Sequence, residues 1–369
     1  MSHGTGARAG ALFPWLDEVA EDLDTGYADK AALLPALAAS GVFGTGVPDD
    51  LGGAGGSVVD GVRAVAEVSA RSLAAGFVLW GHRTYIEYLL QSPNAALRER
   101  LIGPLLAGQV AGATGLSNAM KFLAGLEGLQ VNGRVAGSGF SLDGKLPWVT
   151  NLRPEGFHVA AAVASDDGGA PFVATLASDA QGLVRSADLE LIALRGTNTA
   201  AVALTNVAIT EGDILHPDAR AWLPQVRPAF LGLQIGMSIG LARRALTEAA
   251  GHIADAGRHV LSGPIAELSG AIDAQENALF AGLASGAFAE KAAPLFKIRI
   301  ALAELADAAI GLELQASGGR AYLAGPGRDF ARRWRESAFL PVITPSLVQL
   351  KAALADHAAK ASAGSGQAA

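Results

Sequence analysis

From Leu12 to about Leu106 the apolar residues recur at intervals of three and four, as in Trp15, Val19 and Leu23 and again in Tyr85, Leu89 and Leu90. This is the period of amphipathic helices. Between two such stretches lies Gly41-Val42-Phe43-Gly44-Thr45-Gly46-Val47-Pro48, followed by Asp49-Asp50-Leu51-Gly52-Gly53, a glycine-rich turn whose proline cannot continue a helix. From about Val110 to Leu215 the pattern changes to short alternating or β-branched runs, such as Phe157 to Val163, Phe172 to Leu176 and Ala200 to Val207. Asp143-Gly144, Asp166 to Gly169 and Glu211-Gly212-Asp213 punctuate them as turns. After Pro217 the helical period returns and persists to about Ala359, rich in Ala and Leu, so that helices can pack closely through small side chains.

The pattern predicts an α+β chain: a helical region over 1–109, a β-domain over 110–216, a helical bundle over 217–360 and a flexible tail over 361–369.

Composition narrows the partners. The 369 residues are 50% hydrophobic and 17% charged, which suits a large buried core and not a disordered chain. With 28 Lys and Arg against 35 Asp and Glu the formal charge is −7, which argues against nucleic acid as the main partner. The longest apolar stretch, Ala229 to Ala242, is broken by Gln234, Ser238 and glycines and falls short of the roughly 18 residues that spanning a bilayer requires. The start, MSHGTGARAG, shows no apolar signal core, and the chain contains no cysteine; both lead to the expectation of a cytoplasmic protein without membrane insertion. No metal-ligand spacing occurs among the seven histidines, and no phosphate-binding loop or nucleophile elbow is present.

Mid-chain the residues become specific: Gly144-Lys145-Leu146-Pro147-Trp148-Val149-Thr150-Asn151, then Ala193-Leu194-Arg195-Gly196-Thr197-Asn198-Thr199. The pair resembles the NGxKxWITN and GLRGSxT segments of the acyl-CoA dehydrogenase superfamily. Gly41 to Gly53, Arg98 to Gly108, Val207 to Leu215, Gln315-Ala316-Ser317-Gly318-Gly319 and Arg335-Glu336 resemble further segments of that family in the same order, over about residues 30 to 355.

The resemblance implies an N-terminal helical domain, a central β-domain and a C-terminal four-helix bundle. It also implies FAD held between the last two, an acyl-CoA or related thioester as substrate with hydride transfer to flavin N5, and a homodimer or homotetramer. Leu116 and Ser117 fall where the family contacts the flavin. Trp148 offers an aromatic face and Thr150 a hydroxyl and backbone amide, groups suited to an isoalloxazine ring; a core tryptophan in a β-sandwich is the alternative from the residue alone. Arg258, in Arg258-His259-Val260-Leu261-Ser262, together with Gln315, Gly318 and Gly319, falls where the family holds the FAD of a neighbouring protomer. A plain helix-ending glycine turn is the alternative for the last two.

Two departures stand out. Counting from Arg335 puts Thr344 where the family carries its catalytic glutamate, and a threonine hydroxyl is far too weak a base for an α-proton. The alternative location for that glutamate reads Gln225-Val226-Arg227-Pro228-Ala229-Phe230-Leu231, with no carboxylate. In addition, Leu116 to Leu123 replaces a flavin-contacting loop and has lost a serine, with Lys121 as a substitute point charge or simply a solvated lysine. His82, in Trp80-Gly81-His82-Arg83, is a candidate acid or base, or else a buried histidine bonded to a carbonyl. Three readings follow: a flavoprotein oxidoreductase of acyl thioesters, a base-deficient subunit of a heteromer with a related chain, or a two-component flavin monooxygenase.

Overall fold

The computed structural model describes residues 5–366, apart from 126 and 256. Five helices come first: α1 (Thr5–Thr25), α2 (Lys30–Ala39), α3 (Val58–Ser69), α4 (Leu73–Leu90) and α5 (Ala95–Leu106). The strands follow: β1 (Ala111–Thr114), β2 (Val131–Ala136), β3 (Gly139–Val149), β4 (Phe157–Ser165), β5 (Phe172–Ala177), β6 (Leu183–Arg185), β7 (Ala200–Thr210) and β8 (Ile214–His216), with α6 (Ser117–Leu123) between the first two. The chain then returns to helices: α7 (Ala219–Ala250), α8 (Ser262–Ala284), α9 (Ala287–Glu290), α10 (Ala292–Ser317), α11 (Arg328–Ser337) and α12 (Leu347–Gly366).

The sheet runs β6-β7-β3-β2-β4-β5-β8, with β1 also paired to β4. It is mixed, because β1 and β2 both run parallel to β4 while the other pairs are antiparallel. Central β4 and β5 are buried almost throughout, whereas β7 alternates between buried and exposed positions, as a strand with one solvated face does.

Helix α4 joins the parts. Nearly every one of its residues is buried, which its near-continuous apolar sequence permits, and it packs against β1, α3 and α7. The core of the bundle is α7 against α10, with α3 across it. Small side chains set that approach: a Cβ at Gly236 of α7 would lie 2.7 Å from the Val62 carbonyl oxygen of α3. One expectation changes: the segment after Leu116 is a short helix, α6, and not a loop. Of the expected tail, 361–366 fall at the end of α12, and the last three residues lie outside the described ones.

Candidate functional site

A cavity of about 570 Å³ opens where the end of β3, the start of α6, the 191–199 loop, α4 and the 338–349 segment meet. Its wall is mainly apolar, from Phe77, Trp80, Leu146, Phe339 and Ile343. Of the residues singled out from the sequence, Ser117, Trp148, Thr150 and Thr344 all line it, with Lys121 and Arg335 beside them.

A local irregularity of β3 presents Trp148. Leu146 pairs with Val202 and Val149 with Ala200, so β3 carries one residue more than β7 across this interval. Such a bulge re-aims side chains, and Pro147 tolerates the position because no ladder hydrogen bond is asked of it. Trp148 is consequently 63% exposed, an indole face on the cavity wall without a protein partner covering it. At the strand's end, Thr150 is buried and its hydroxyl donates to the Thr197 carbonyl at 3.3 Å. Asn151 follows with φ 61°, its amide donating to the Gly112 carbonyl at 2.9 Å. The two quoted motifs of the sequence thus meet in one turn.

The Trp80-Gly81-His82-Arg83 segment supports this turn from α4. Trp80 reaches the cavity and donates its indole N–H to the Phe230 carbonyl at 3.2 Å. Gly81 keeps the helix close, since a Cβ there would lie 3.0 Å from Thr150 Cγ2. Arg83 pairs with Glu87 at 2.9 Å and donates to the carbonyls of Thr45 and Gly46, anchoring the glycine-rich segment.

His82 lies off the cavity as a buried histidine bonded to a carbonyl, the second of its two readings. It is fully buried, is absent from the cavity wall, and has both ring nitrogens engaged: Nε2 donates to the Leu105 carbonyl at 3.0 Å and Nδ1 accepts the Gly112 N–H at 3.0 Å. Burial pushes its pKa down to about 4, and a second ring proton would face the Gly112 N–H.

The segment bearing Thr344 is held from behind. Gln234 donates to the Thr344 carbonyl at 3.0 Å and accepts from Arg299 Nε at 2.9 Å, while Arg299 Nη2 donates to the Leu340 carbonyl at 2.6 Å. Arg299 is fully buried with no carboxylate partner among the described residues, and burial lowers its pKa to about 10. Glu127 is the one carboxylate of the cavity wall among the described residues. It is engaged by Asn118 at 2.7 Å and by Lys121 at 3.3 Å. Lys121 is therefore neither solvated freely nor a lone charge. Gln130, which the sequence reading passed over, reaches the wall with Oε1 buried and without a partner.

Leu116 is buried beneath α6 and stays off the cavity wall. Arg258, Gln315, Gly318 and Gly319 also lie away from it, on the bundle, the first just before α8 and the others at the end of α10. Arg258 pairs with Asp255 at 2.7 Å, and its Nη2 would lie 2.7 Å from a Cβ on Gly318.

Residues 14–109 match the family model for the N-terminal domain of acyl-CoA dehydrogenases. The N-terminal region is thus similar in sequence to acyl-CoA dehydrogenases. Benzylmalonyl-CoA dehydrogenase of Aromatoleum aromaticum is 24% identical over 228 residues, and the match spans 61% of this chain and 60% of that protein's length. A solved glutaryl-CoA dehydrogenase in complex with glutaryl-CoA superposes with a TM-score of 0.81 at 16% identity, covering 96% of this chain and 95% of the other. KijD3, solved with FMN and a dTDP-linked amino sugar, superposes at 0.79 with 18% identity over 98% and 95% of the two chains. The fold is thus shared by an acyl-CoA dehydrogenase and by a protein solved with a sugar nucleotide. No described helix is long and apolar enough to cross a membrane.

Proposed function

We infer that the chain is a flavin-dependent oxidoreductase that holds FAD in the main cavity and acts on an acyl-CoA or related thioester. The observation that carries this is the exposed indole face of Trp148 on the cavity wall. A flat heterocycle that stacks on it fits that face. Trp148 would cover one ring face, Thr150 and Ser117 would offer hydroxyl and backbone donors to the ring edges, and Trp80, Phe77 and Phe339 would exclude water. When bound, the flavin supplies a two-electron acceptor. Arg258, Gln315, Gly318 and Gly319, remote from this cavity, are suited to the FAD of a second protomer in a homo-oligomer or of a related chain.

One observation favours a second reading. No free carboxylate lines the cavity among the described residues, because Glu127 is engaged and Thr344, which the resemblance aligns with the family's catalytic glutamate, offers only a hydroxyl. Oxygenation of a nitrogen, sulfur or aromatic carbon by reduced flavin and O2 needs no α-proton base, so a monooxygenase loses nothing by the replacement.

The test begins with the visible spectrum after incubation with FAD and gel filtration. Stoichiometric flavin is expected, and a protein that stays colourless with FAD and FMN rejects both readings. Anaerobic mixing of the loaded protein with a panel of acyl-CoA thioesters then separates them. Bleaching supports thioester oxidation, whereas flavin that stays oxidised throughout, with O2-dependent product formation after chemical reduction, selects the oxygenase.

A further inference from the structure

A second chamber of about 110 Å³ adjoins the main cavity and shares Lys121 and Gln349 with it. Arg227 of α7 and His357 of α12 complete its polar lining, and no acidic residue contributes to it. Arg227 is the unusual member. Its guanidinium stacks over the Phe296 ring at 5.6 Å, its Nε is buried without a hydrogen-bond partner, and no carboxylate lies within ion-pair distance among the described residues. Burial lowers its pKa. Lys121 is half satisfied by Glu127, at 3.3 Å, on the side facing the main cavity. A half-buried guanidinium in a concave site costs desolvation energy that an ion pair ordinarily offsets; the protein supplies no anion here.

We propose that this chamber is a phosphate subsite that binds the nucleotide phosphates of the substrate's carrier through Arg227, with Lys121 and His357 around it. The proposal rests on the oxidoreductase reading for the role of the main cavity, whose contents it would anchor. The chemistry is that of an organic phosphate: Arg227, seated over Phe296, offers a planar fork to two oxygens. A thioester of coenzyme A and a nucleoside diphosphate sugar both carry such phosphates, and both would extend from the shared wall at Lys121 and Gln349.

Coenzyme A, dTDP and inorganic pyrophosphate are titrated by calorimetry into the full-length protein and into Arg227→Gln and Arg227→Lys. The expected result is binding of coenzyme A or dTDP, competition by pyrophosphate, a loss of about 10- to 100-fold in Arg227→Gln and a smaller loss in Arg227→Lys, which keeps the charge but not the fork. Preference for coenzyme A assigns a thioester carrier and preference for dTDP a sugar nucleotide; either supports the subsite. Equal binding by wild type and Arg227→Gln, or no binding of any of the three, overturns it. Should Arg227→Gln fail to fold, Arg227→Lys and Lys121→Met carry the same comparison. A protein that refuses flavin but binds these phosphates sinks the redox reading and keeps the subsite. One that takes up flavin and binds none of the three does the reverse.

Discussion

Arg335 Nε donates to Asp24 Oδ2 at 2.9 Å, and the other oxygen of the same carboxylate accepts the Leu194 N–H at 2.8 Å. One fully buried aspartate thus ties α1 to the end of α11 and to the 191–199 loop, where Leu194 sits at φ 59°. Both Arg335 and Leu194 line the main cavity. Asp24→Ala removes both acceptors, leaves Arg335 only Glu21, and strands a buried N–H. The expected cost is about 2–3 kcal/mol, read as a lower urea midpoint at unchanged m-value, with Asp24→Asn losing less. An unshifted Asp24→Ala midpoint would show that the tie is dispensable.

His82 gives a pH dependence of known sign. Its folded pKa lies near 4 and its unfolded value near 6.5, so the unfolded chain binds a proton in that interval and the folded one does not. The stability it contributes is complete above about pH 6.5 and is lost as pH falls toward 4, by about 3 kcal/mol. Glu336 acts oppositely: burial raises its carboxyl to about 7, so stability declines as pH rises from 4.5 to 7. Denaturant unfolding of wild type and His82→Gln across pH 4–7 isolates the first effect, because Glu336 is common to both. Parallel curves would mean that His82 is not held neutral.

The order of helices, strands and helices was legible from periodicity because that signal is summed over many residues, and the resemblance located Trp148, Thr150 and Thr344 on one cavity. What stayed illegible depends on partners remote in the chain. Nothing local distinguishes His82 as a clamp between Leu105 and Gly112, or Asp24 as the acceptor for Leu194 and Arg335. Arg227 entered the sequence reading only as a neighbour of an absent carboxylate. Its isolation from acidic groups became visible once α7, α10 and α12 were packed together. The helix at Ser117–Leu123 escaped notice because it is barely two turns long, too short for a period to declare itself.

Trp148 separates ligand binding from stability. An indole that is 63% exposed contributes little to the core, so Trp148→Ala is expected to move the thermal midpoint of the flavin-free protein by less than about 0.5 kcal/mol equivalent. Flavin affinity should fall about 10-fold or more, since the ring loses its stacking surface. Titration of the visible spectrum with FAD checks both statements against a melting curve. Unchanged affinity would move the flavin away from this wall.

Thr344 offers the sharpest chemical test, because the residue lines the cavity on a segment fixed by Gln234 and Arg299. If its hydroxyl takes no proton, Thr344→Val should leave turnover of the native substrate within about twofold. Thr344→Glu places a carboxylate on the wall of a mainly apolar cavity, which raises its pKa toward a useful base. Flavin reduction by an acyl-CoA, followed anaerobically by stopped-flow, should then accelerate about 100-fold or more, the usual worth of a positioned base. Acceleration in Thr344→Glu with silence in the wild type would mean that the missing carboxylate alone separates this chain from thioester oxidation. No acceleration, with flavin bound and the fold intact, would mean that the thioester α-carbon does not reach this segment.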